Sequence, residues 1–254
     1  MKVGLNLYSI KNLIQTEEDF TKTAIKLREI GYDFLQFSGA SFDLEIIKRV
    51  VEKSGLPIVL THVPEERIVG DTDNLIKEHL EIGCFNIGLG CLPPKVIYDE
   101  KEVKSRIDKL NLAGKKMAEK GFKFFYHNHH FEFIKMGDKT VFDYIVENAP
   151  YINFTADTYW LQYGGVSITE YLKKIKGRVE CVHLKDYKII WDDEVGYKPV
   201  FAPIGDGNID FKSVIKVAKK AGAKYFIVEQ DDAGEKENPL AEVEKSVKYL
   251  KNNF

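Results

Sequence analysis

The sequence predicts an α/β fold in which eight parallel strands and their helices close into one barrel, a single (β/α)8 domain over residues 1–254. Three observations predict it. The length of 254 residues is about what one such barrel needs. Short apolar runs rich in β-branched and aromatic residues recur at about 32 residues per unit. Between them lie Lys/Glu-rich segments with helical periodicity, and alternating strands and helices imply a parallel sheet. Eight units favour a closed barrel over the alternative, an open doubly wound sheet.

The strands and helices are predicted in order from these runs. The eight strands begin near Val3, Phe34, Ile58, Phe85, Phe124, Ile152, Val179 and Tyr225. The helices are predicted over Glu17–Ile30, Leu44–Lys53, Lys101–Lys120, Phe142–Asn148, Ile168–Lys176, Phe211–Lys220 and Ala241–Asn252. In the first helix Phe20, Ala24 and Leu27 share one face, and Gly31 supplies the stop. The stretch FAPIGDGNIDF is interpreted as a loop between the seventh strand and the last helices.

Composition limits the function classes. Lys and Arg number 37 against 39 Asp and Glu, a net charge of -2, which argues against nucleic acid as a partner. The three cysteines show no metal-binding pair and are expected to be buried thiols in a reducing compartment. The N-terminus lacks the apolar core of a secretory signal, and no apolar run approaches the roughly 20 residues of a membrane span. We therefore expect a cytoplasmic protein without membrane contact, as a monomer or a homodimer.

Polar side chains close the last four apolar runs. In a barrel of this kind the catalytic residues lie at the carboxyl ends of the strands. Those ends carry His127 and His129, then Asp157, then His183, then Glu229. Nitrogen and oxygen ligands that converge on one mouth suit a divalent transition metal such as Mn, Zn, Co or Fe. The sequence therefore predicts a metal site there.

Four further residues are candidates for substrate contact or catalysis, each with a structural alternative. His62 ends the third strand and either reaches the pocket or caps a loop. Glu132 is either a base or the residue that orients the ring of His127 or His129. Lys185 either polarises a carbonyl or pairs with Asp186 at the surface. Trp160 is either an apolar wall for a sugar ring or a packing residue.

The remaining candidates are assigned structural or minor roles. His79, inside a helix, and His130 are interpreted as structural or solvated. Gly205 and Gly207 allow a tight turn whose backbone N–H groups either face a ligand anion or simply begin the next helix. The GxG pattern lacks the full dinucleotide fingerprint, so no nucleotide site is predicted.

At YHNHHFEF, ADTYW, VHLKD, PIGDGNID and FIVEQD the sequence resembles the sugar phosphate isomerase/epimerase superfamily, the xylose isomerase-like TIM barrels. The resemblance covers essentially the whole chain, with the site motifs in the family's order. It implies a barrel enzyme of sugar metabolism. The superfamily includes ketose epimerases, hydroxypyruvate isomerase, inosose dehydratase and isomerase, dehydroshikimate dehydratase, subunits that cleave oxidised glycosides, and type IV apurinic endonucleases.

The resemblance also implies a ligand set. In the epimerase branch one metal is held by Glu, Asp, His and Glu from the fifth to the eighth strands, and three of these positions carry over as Asp157, His183 and Glu229. His127 stands where that branch has its first Glu. The implied cofactor is one divalent ion, Mn in first place, with Zn, Co, Fe and Mg as alternatives. A histidine at 127 cannot be the carboxylate base of a two-base epimerase, which favours isomerisation or β-elimination.

These observations lead to one hypothesis and two alternatives. The hypothesis is a metal-dependent enzyme that isomerises a keto-sugar or keto-cyclitol, or eliminates from it, through an enediolate. Glu229 or His129 would act as the base, and Lys185 or Glu132 would assist. The first alternative is an aldose–ketose isomerase or epimerase of a free or phosphorylated sugar. The second is a non-catalytic carbohydrate-binding or partner subunit. A DNA-repair endonuclease is disfavoured by the six histidines and the net charge.

Overall fold

The computed structural model describes all residues, Met1–Phe254, and its central feature is a closed barrel of eight parallel strands. The first strand pairs with the second on one side and with the last on the other, which closes the ring. We number the barrel strands β1 to β8: Val3–Asn6, Phe34–Phe37, Ile58–His62, Asn86–Leu89, Lys123–His127, Ile152–Asp157, Cys181–Leu184 and Tyr225–Val228. The predicted barrel is therefore confirmed.

Ten α-helices surround or cap the barrel. They are α1 to α10 in chain order: Glu17–Ile30, Leu44–Ser54, Glu65–Gly70, Thr72–Glu81, Glu100–Glu119, Val141–Asn148, Thr158–Tyr163, Ile168–Lys174, Phe211–Ala221 and Pro239–Asn253. Short 3-10 turns cover Leu7–Leu13, Pro94–Tyr98, Phe131–Phe133 and Ala233–Glu235, and residues 135–136 pair with 139–140 as a minimal hairpin. None of the helices combines the length and the apolarity that a membrane crossing needs.

The predicted helices match closely, and their ends follow ordinary capping chemistry. Helix α1 has the predicted bounds: the Thr16 side chain accepts the N–H of Asp19 at its start, and Gly31 takes a left-handed backbone (φ 112°) at its end. The sequence analysis did not predict α3, α4 or α7 with bounds, although it placed His79 of α4 inside a helix. The first two lie between β3 and β4. Helix α7 directly follows the Asp157 cap.

An antiparallel hairpin is the largest departure from the predicted loop after β7. Its strands, Asp186–Asp192 and Gly196–Ala202, pair with each other and with no other strand. The hairpin reaches away from the barrel, with Trp191 and Tyr197 61% and 78% exposed near its tip. Of the predicted buried thiols, Cys84 and Cys181 are buried as expected. Cys91 is only partly buried, and all three are free.

Apolar side chains fill the interior of the barrel below the polar residues at the strand ends. Phe34, Leu60, Phe125, Cys181 and Ile227 are buried and form one cluster. Each lies two residues before a polar residue at 36, 62, 127, 183 or 229, and side chains two apart on a strand face the same side. The apolar layer therefore closes the barrel from below, and the polar residues form the layer directly above it.

Candidate metal centre and active site

A cavity of about 230 Å³ opens at the carboxyl end of the barrel strands. It is lined mostly by polar side chains from several strands, as expected of a barrel active site. The lining residues are Asn6, Tyr8, Ser38, His62, Gly90, Cys91, His127, His129, Lys185, Glu229 and Asp231. The strand-end positions singled out in the sequence thus converge on one place.

Four buried residues, of which His127 and Glu229 line this cavity, form the group that was predicted to hold a metal. One ligand atom from each of His127, Asp157, His183 and Glu229 lies within 4.8 Å of the others. His127 Nε2 is 3.3 Å from Asp157 Oδ2, and His183 Nδ1 is 2.8 Å from Glu229 Oε2. The residues come from the ends of β5, β6 and β7 and from the position after β8. Barrel closure brings them together across the mouth.

The two histidines are held in the tautomers that a metal needs. His127 Nδ1 lies 2.9 Å from the carbonyl of Gly90, which can only accept, so the proton is on Nδ1 and Nε2 keeps its lone pair. His183 Nε2 lies 2.6 Å from Gln36 Oε1, so this nitrogen donates and Nδ1 keeps its lone pair. Both lone pairs point at the carboxylates. Burial lowers the pKa of His127 to about 3, which keeps this ring neutral.

Each carboxylate is fixed by a hydrogen bond to one oxygen, and its other oxygen lies inside the charged cluster. Asp157 Oδ1 accepts the backbone N–H of Trp160, and Glu229 Oε1 accepts the side-chain amide of Asn6 at 2.5 Å. The opposite oxygens, Asp157 Oδ2 and Glu229 Oε2, face the two histidines. Both of these oxygens also contact Lys185 Nζ, at 3.1 and 3.0 Å, whereas His183 Nδ1 is buried without a hydrogen-bond partner. Two nitrogens and two oxygens with free lone pairs at one centre fit a divalent ion.

A buried lysine balances part of the negative charge. Lys185 Nζ lies 3.1 Å from Asp157, 3.0 Å from Glu229 and 3.0 Å from Asp231. Burial opposes the charge on Lys185, but these carboxylates outweigh it and raise its pKa above the usual value. Three carboxylates against one ammonium leave an excess of negative charge, which a divalent ion would neutralise. Lys185 makes no ion pair with Asp186, so the surface-pair alternative is wrong.

Three other predicted residues occupy distinct places. His62 lines the cavity on the wall opposite the strand of Lys185, in agreement with the alternative in which it reaches the pocket. His129 also lines it, stacked on Phe131 with ring centroids 5.0 Å apart, and its Nδ1 is buried without a partner. Burial lowers the pKa of His129 to about 2. Trp160 packs beside His129 and under Lys185, whose Nζ is 5.1 Å from the indole centroid. Its ring therefore borders the charged cluster.

Glu132 has a different environment from the one that a base needs. It is fully buried and does not line the cavity; its oxygens accept the Tyr126 hydroxyl and the backbone N–H of His129, both at 2.7 Å. Burial raises its pKa to about 7. The geometry favours the positioning alternative, with the correction that Glu132 holds the backbone of His129 and not a ring. His79 is buried and bonded to Thr61 and Leu75, in agreement with a structural role.

The glycine-rich turn after the hairpin already binds an anion, the side-chain carboxylate of Asp186. The carboxylate of Asp186 accepts the backbone N–H groups of Tyr187, Gly205, Gly207 and Ile209 at 2.9–3.1 Å. A Cβ at Gly207 would lie 2.3 Å from Asp186 Oδ1. The turn therefore does not present these amides to a ligand, and that part of the prediction is wrong.

Two residues that complete the site had no assigned role in the sequence analysis. Asp231 lines the cavity and holds Lys185, and burial raises its pKa to about 6. Its signal was its position two residues after Glu229 in the EQD motif. Gln36 lies at the centre of the second strand and contacts two histidines, and a buried glutamine in the otherwise apolar run FLQF was the available signal.

Comparison with known proteins places these features in context. The family model described as xylose isomerase-like TIM barrel matches residues 25–253. An inosose dehydratase of Clostridium perfringens is 32% identical over 170 residues, 62% of this chain and 57% of the relative. A sugar phosphate isomerase/epimerase from Parabacteroides distasonis superposes with a TM-score of 0.78 at 23% identity, covering 98% of this chain and 97% of that one. A xylose isomerase-like TIM barrel protein from Mycobacterium smegmatis in complex with magnesium gives 0.73 at 15% identity, covering 98% and 95%.

Proposed function

Because the chain belongs to the xylose isomerase-like TIM barrel family, we propose that it is a divalent-metal-dependent lyase that removes water from a keto-cyclitol of the inosose type. The observation that carries the proposal is the buried group of His127, Asp157, His183 and Glu229, whose four ligand atoms all lie within 4.8 Å of one another. The similarity to inosose dehydratases supports the substrate class, although the aligned part spans only 57% of the first of these relatives. Mn is the ion that we expect, with Zn, Co, Fe and Mg as alternatives.

The side chains around the cavity have the properties that elimination needs. His127, Asp157, His183 and Glu229 would hold the divalent ion, which would supply Lewis-acid polarisation of the substrate carbonyl when bound. Glu229, held by Asn6 through one oxygen, removes the proton from the carbon next to the carbonyl. The electron pair of that C–H bond forms the new double bond as the C–O bond at the β carbon breaks. The proton on Glu229 leaves with the departing hydroxyl as water.

Lys185 and the aromatic wall support this reaction. The Lys185 ammonium, held by Asp231 at 3.0 Å, stabilises the negative charge that develops on the substrate oxygens. His129 and Trp160 form the wall beside it and limit the access of water. His129 is the alternative base, since its Nδ1 is unpartnered, and substitution of each residue separates the two assignments.

The bond between Asp186 and the glycine-rich turn supports an unphosphorylated substrate. Barrel enzymes frequently bind phosphate with the loops after the seventh and eighth strands. Here the amides of Gly205, Gly207 and Ile209, in the loop after the seventh strand, already bind the Asp186 carboxylate. Lys185, the one cation that lines the cavity, is engaged by three carboxylates. The turn and the cavity therefore offer a phosphate dianion no free group of hydrogen-bond donors.

The test is the mass of the product. The protein is loaded with Mn²⁺ and incubated with an inosose in D₂O, and the products are analysed by mass spectrometry and NMR. We expect a product lighter by one water, and its formation should fall at least a hundredfold in Glu229→Gln. A product of unchanged mass would instead establish the isomerase or epimerase alternative. No turnover by a chain that binds Mn²⁺ and the inosose would favour the binding-subunit alternative. The cytoplasmic location and the possible homodimer stay predictions.

A further inference from the structure

We propose that Gln36 is a positioning residue that holds the rings of His62 and His183 in opposite tautomers, so that His62 presents an N–H group to the substrate when a cation is bound. The inference rests on the metal site of the proposed function. It adds a residue that touches neither metal nor substrate and acts through two that do.

The geometry of one amide between two rings carries the inference. Gln36 is completely buried on β2. Its Oε1 lies 2.6 Å from His183 Nε2, and its Nε2 lies 3.1 Å from His62 Nε2. A primary amide has one accepting end and one donating end. Both rings direct the same nitrogen at this amide, so one Nε2 must carry a proton and the other must not.

The cation decides which ring carries it. His183 can bind a cation through Nδ1, 2.8 Å from Glu229 Oε2, only if that nitrogen has a free lone pair. The proton of His183 is then on Nε2 and is donated to Gln36 Oε1. The amide group of Gln36 therefore donates to His62 Nε2, and the proton of His62 is on Nδ1.

The Nδ1–H of His62 has an open path to the cavity. His62 lines the cavity and forms no side-chain hydrogen bond other than the one with Gln36. Gly90 lies beside it, and a Cβ there would be in van der Waals contact with His62 Nδ1, at 3.4 Å. Because residue 90 is a glycine, no side chain covers the nitrogen from this position. A fixed imidazole N–H at that position recognises a carbonyl or hydroxyl oxygen of a polyol substrate.

The experiment reads the tautomers directly. The protein is labelled with ¹⁵N in its six histidines, loaded with Zn²⁺, and examined by long-range ¹H–¹⁵N correlation NMR. We expect the proton of His62 on Nδ1 and that of His183 on Nε2. In Gln36→Met, His62 should lose its single tautomer, and Zn²⁺ affinity should fall about 10- to 100-fold, the usual effect of removing a partner of a metal-binding histidine. His127, whose Nδ1 bonds Gly90 and not Gln36, should keep its tautomer.

The controls separate this inference from the proposed function. Gln162→Met removes an exposed glutamine that bonds only Tyr187, and it should change neither the tautomers nor the Zn²⁺ affinity. Finding His62 and His183 in the same tautomer in the wild-type protein would overturn the proposal, and this measurement does not depend on the folding of a variant. If Zn²⁺ did not bind, the metal site of the proposed function would be refuted. Opposite tautomers in the metal-free protein that disappear in Gln36→Met would still support the role of Gln36.

Discussion

The Asp186 carboxylate offers a sharp test of how the loops around the site are held. In Asp186→Asn, Oδ1 keeps the N–H groups of Tyr187 and Ile209, but an amide NH₂ replaces the oxygen that accepts Gly205 and Gly207. Two hydrogen bonds to a charged acceptor are lost, at about 1.5–3 kcal/mol each. Burial raises the pKa of Asp186 despite its four bonds, so desolvation of the charge offsets part of that gain. We therefore expect a loss of about 2–3 kcal/mol in the free energy of unfolding.

The assay is urea unfolding at pH 7, combined with hydrogen exchange at the amides of Gly205 and Gly207. Both amides should exchange faster in Asp186→Asn. The matched control is Asp192→Asn in the same hairpin, where one side-chain oxygen accepts the N–H groups of Glu194 and Val195 at an exposed turn. That oxygen remains in Asn, and only the surface ion pair of the other oxygen with Lys198 is lost, so the control should change stability by less than about 1 kcal/mol. Equal effects of the two substitutions, or unchanged exchange, would refute the account of the turn.

Three further predictions concern buried groups elsewhere. Burial lowers the pKa of His79 from 6.5 to about 4. The contribution of His79 to stability is therefore complete above pH 6.5 and falls by about 3 kcal/mol as the pH drops to 4. In His79→Gln the urea midpoint should depend less on pH in this range than it does in wild type. Burial raises the pKa of Glu132 from 4.5 to about 7, so its stabilising protonated form is lost as the pH rises from 4.5 to 7. The stability of Glu132→Gln relative to wild type should therefore be higher at pH 8 than at pH 4.5. Its dehydration activity should stay within a few-fold of wild type, whereas a hundredfold loss of activity would restore Glu132 as a catalytic residue. Gly207→Ala places a Cβ 2.3 Å from Asp186 Oδ1 and should lower the melting temperature by several degrees, while Gly70→Ala, with nothing within 4 Å, should leave it unchanged.

The barrel and the candidate metal ligands could be predicted because both follow from the period of the apolar runs and from the position of the strand ends. Eight apolar runs at regular spacing favour closure, and closure places every strand end at the same mouth. His127, Asp157, His183 and Glu229 therefore had to lie near one another once the strands were assigned. No residue-level energetics were needed for that step.

The hairpin and the Asp186 turn could not be predicted in the same way. The residues 186–202 alternate weakly between apolar and polar side chains, because both faces of an isolated hairpin contact solvent in part. Asp186 was considered as an ion-pair partner of Lys185 because the two residues are adjacent in the sequence. Their side chains point in different directions, and adjacency alone does not reveal this. The hydrogen bonds from Gly205 and Gly207 link residues about twenty positions apart, and no local pattern encodes them.

Catalytic roles were harder to assign than ligand positions, because they depend on contacts that the sequence does not specify. Glu132 was a candidate base by its place in the HNHHFEF motif. Its two oxygens, however, are occupied by Tyr126 and the backbone of His129. Gln36 acquires its role only because the barrel places it between His62 on the neighbouring strand and His183 on the far side of the ring.

The two tryptophans of the chain give this protein a pair of built-in optical reporters. Trp191, 61% exposed on the hairpin, should emit at long wavelength and be quenched readily by iodide or acrylamide. Trp160 is only partly exposed and lies 5.1 Å from the charge of Lys185, so its emission should respond when a ligand alters that charge or displaces water beside it. With Trp191→Phe as the background, the remaining fluorescence would report occupancy of the active site without any label.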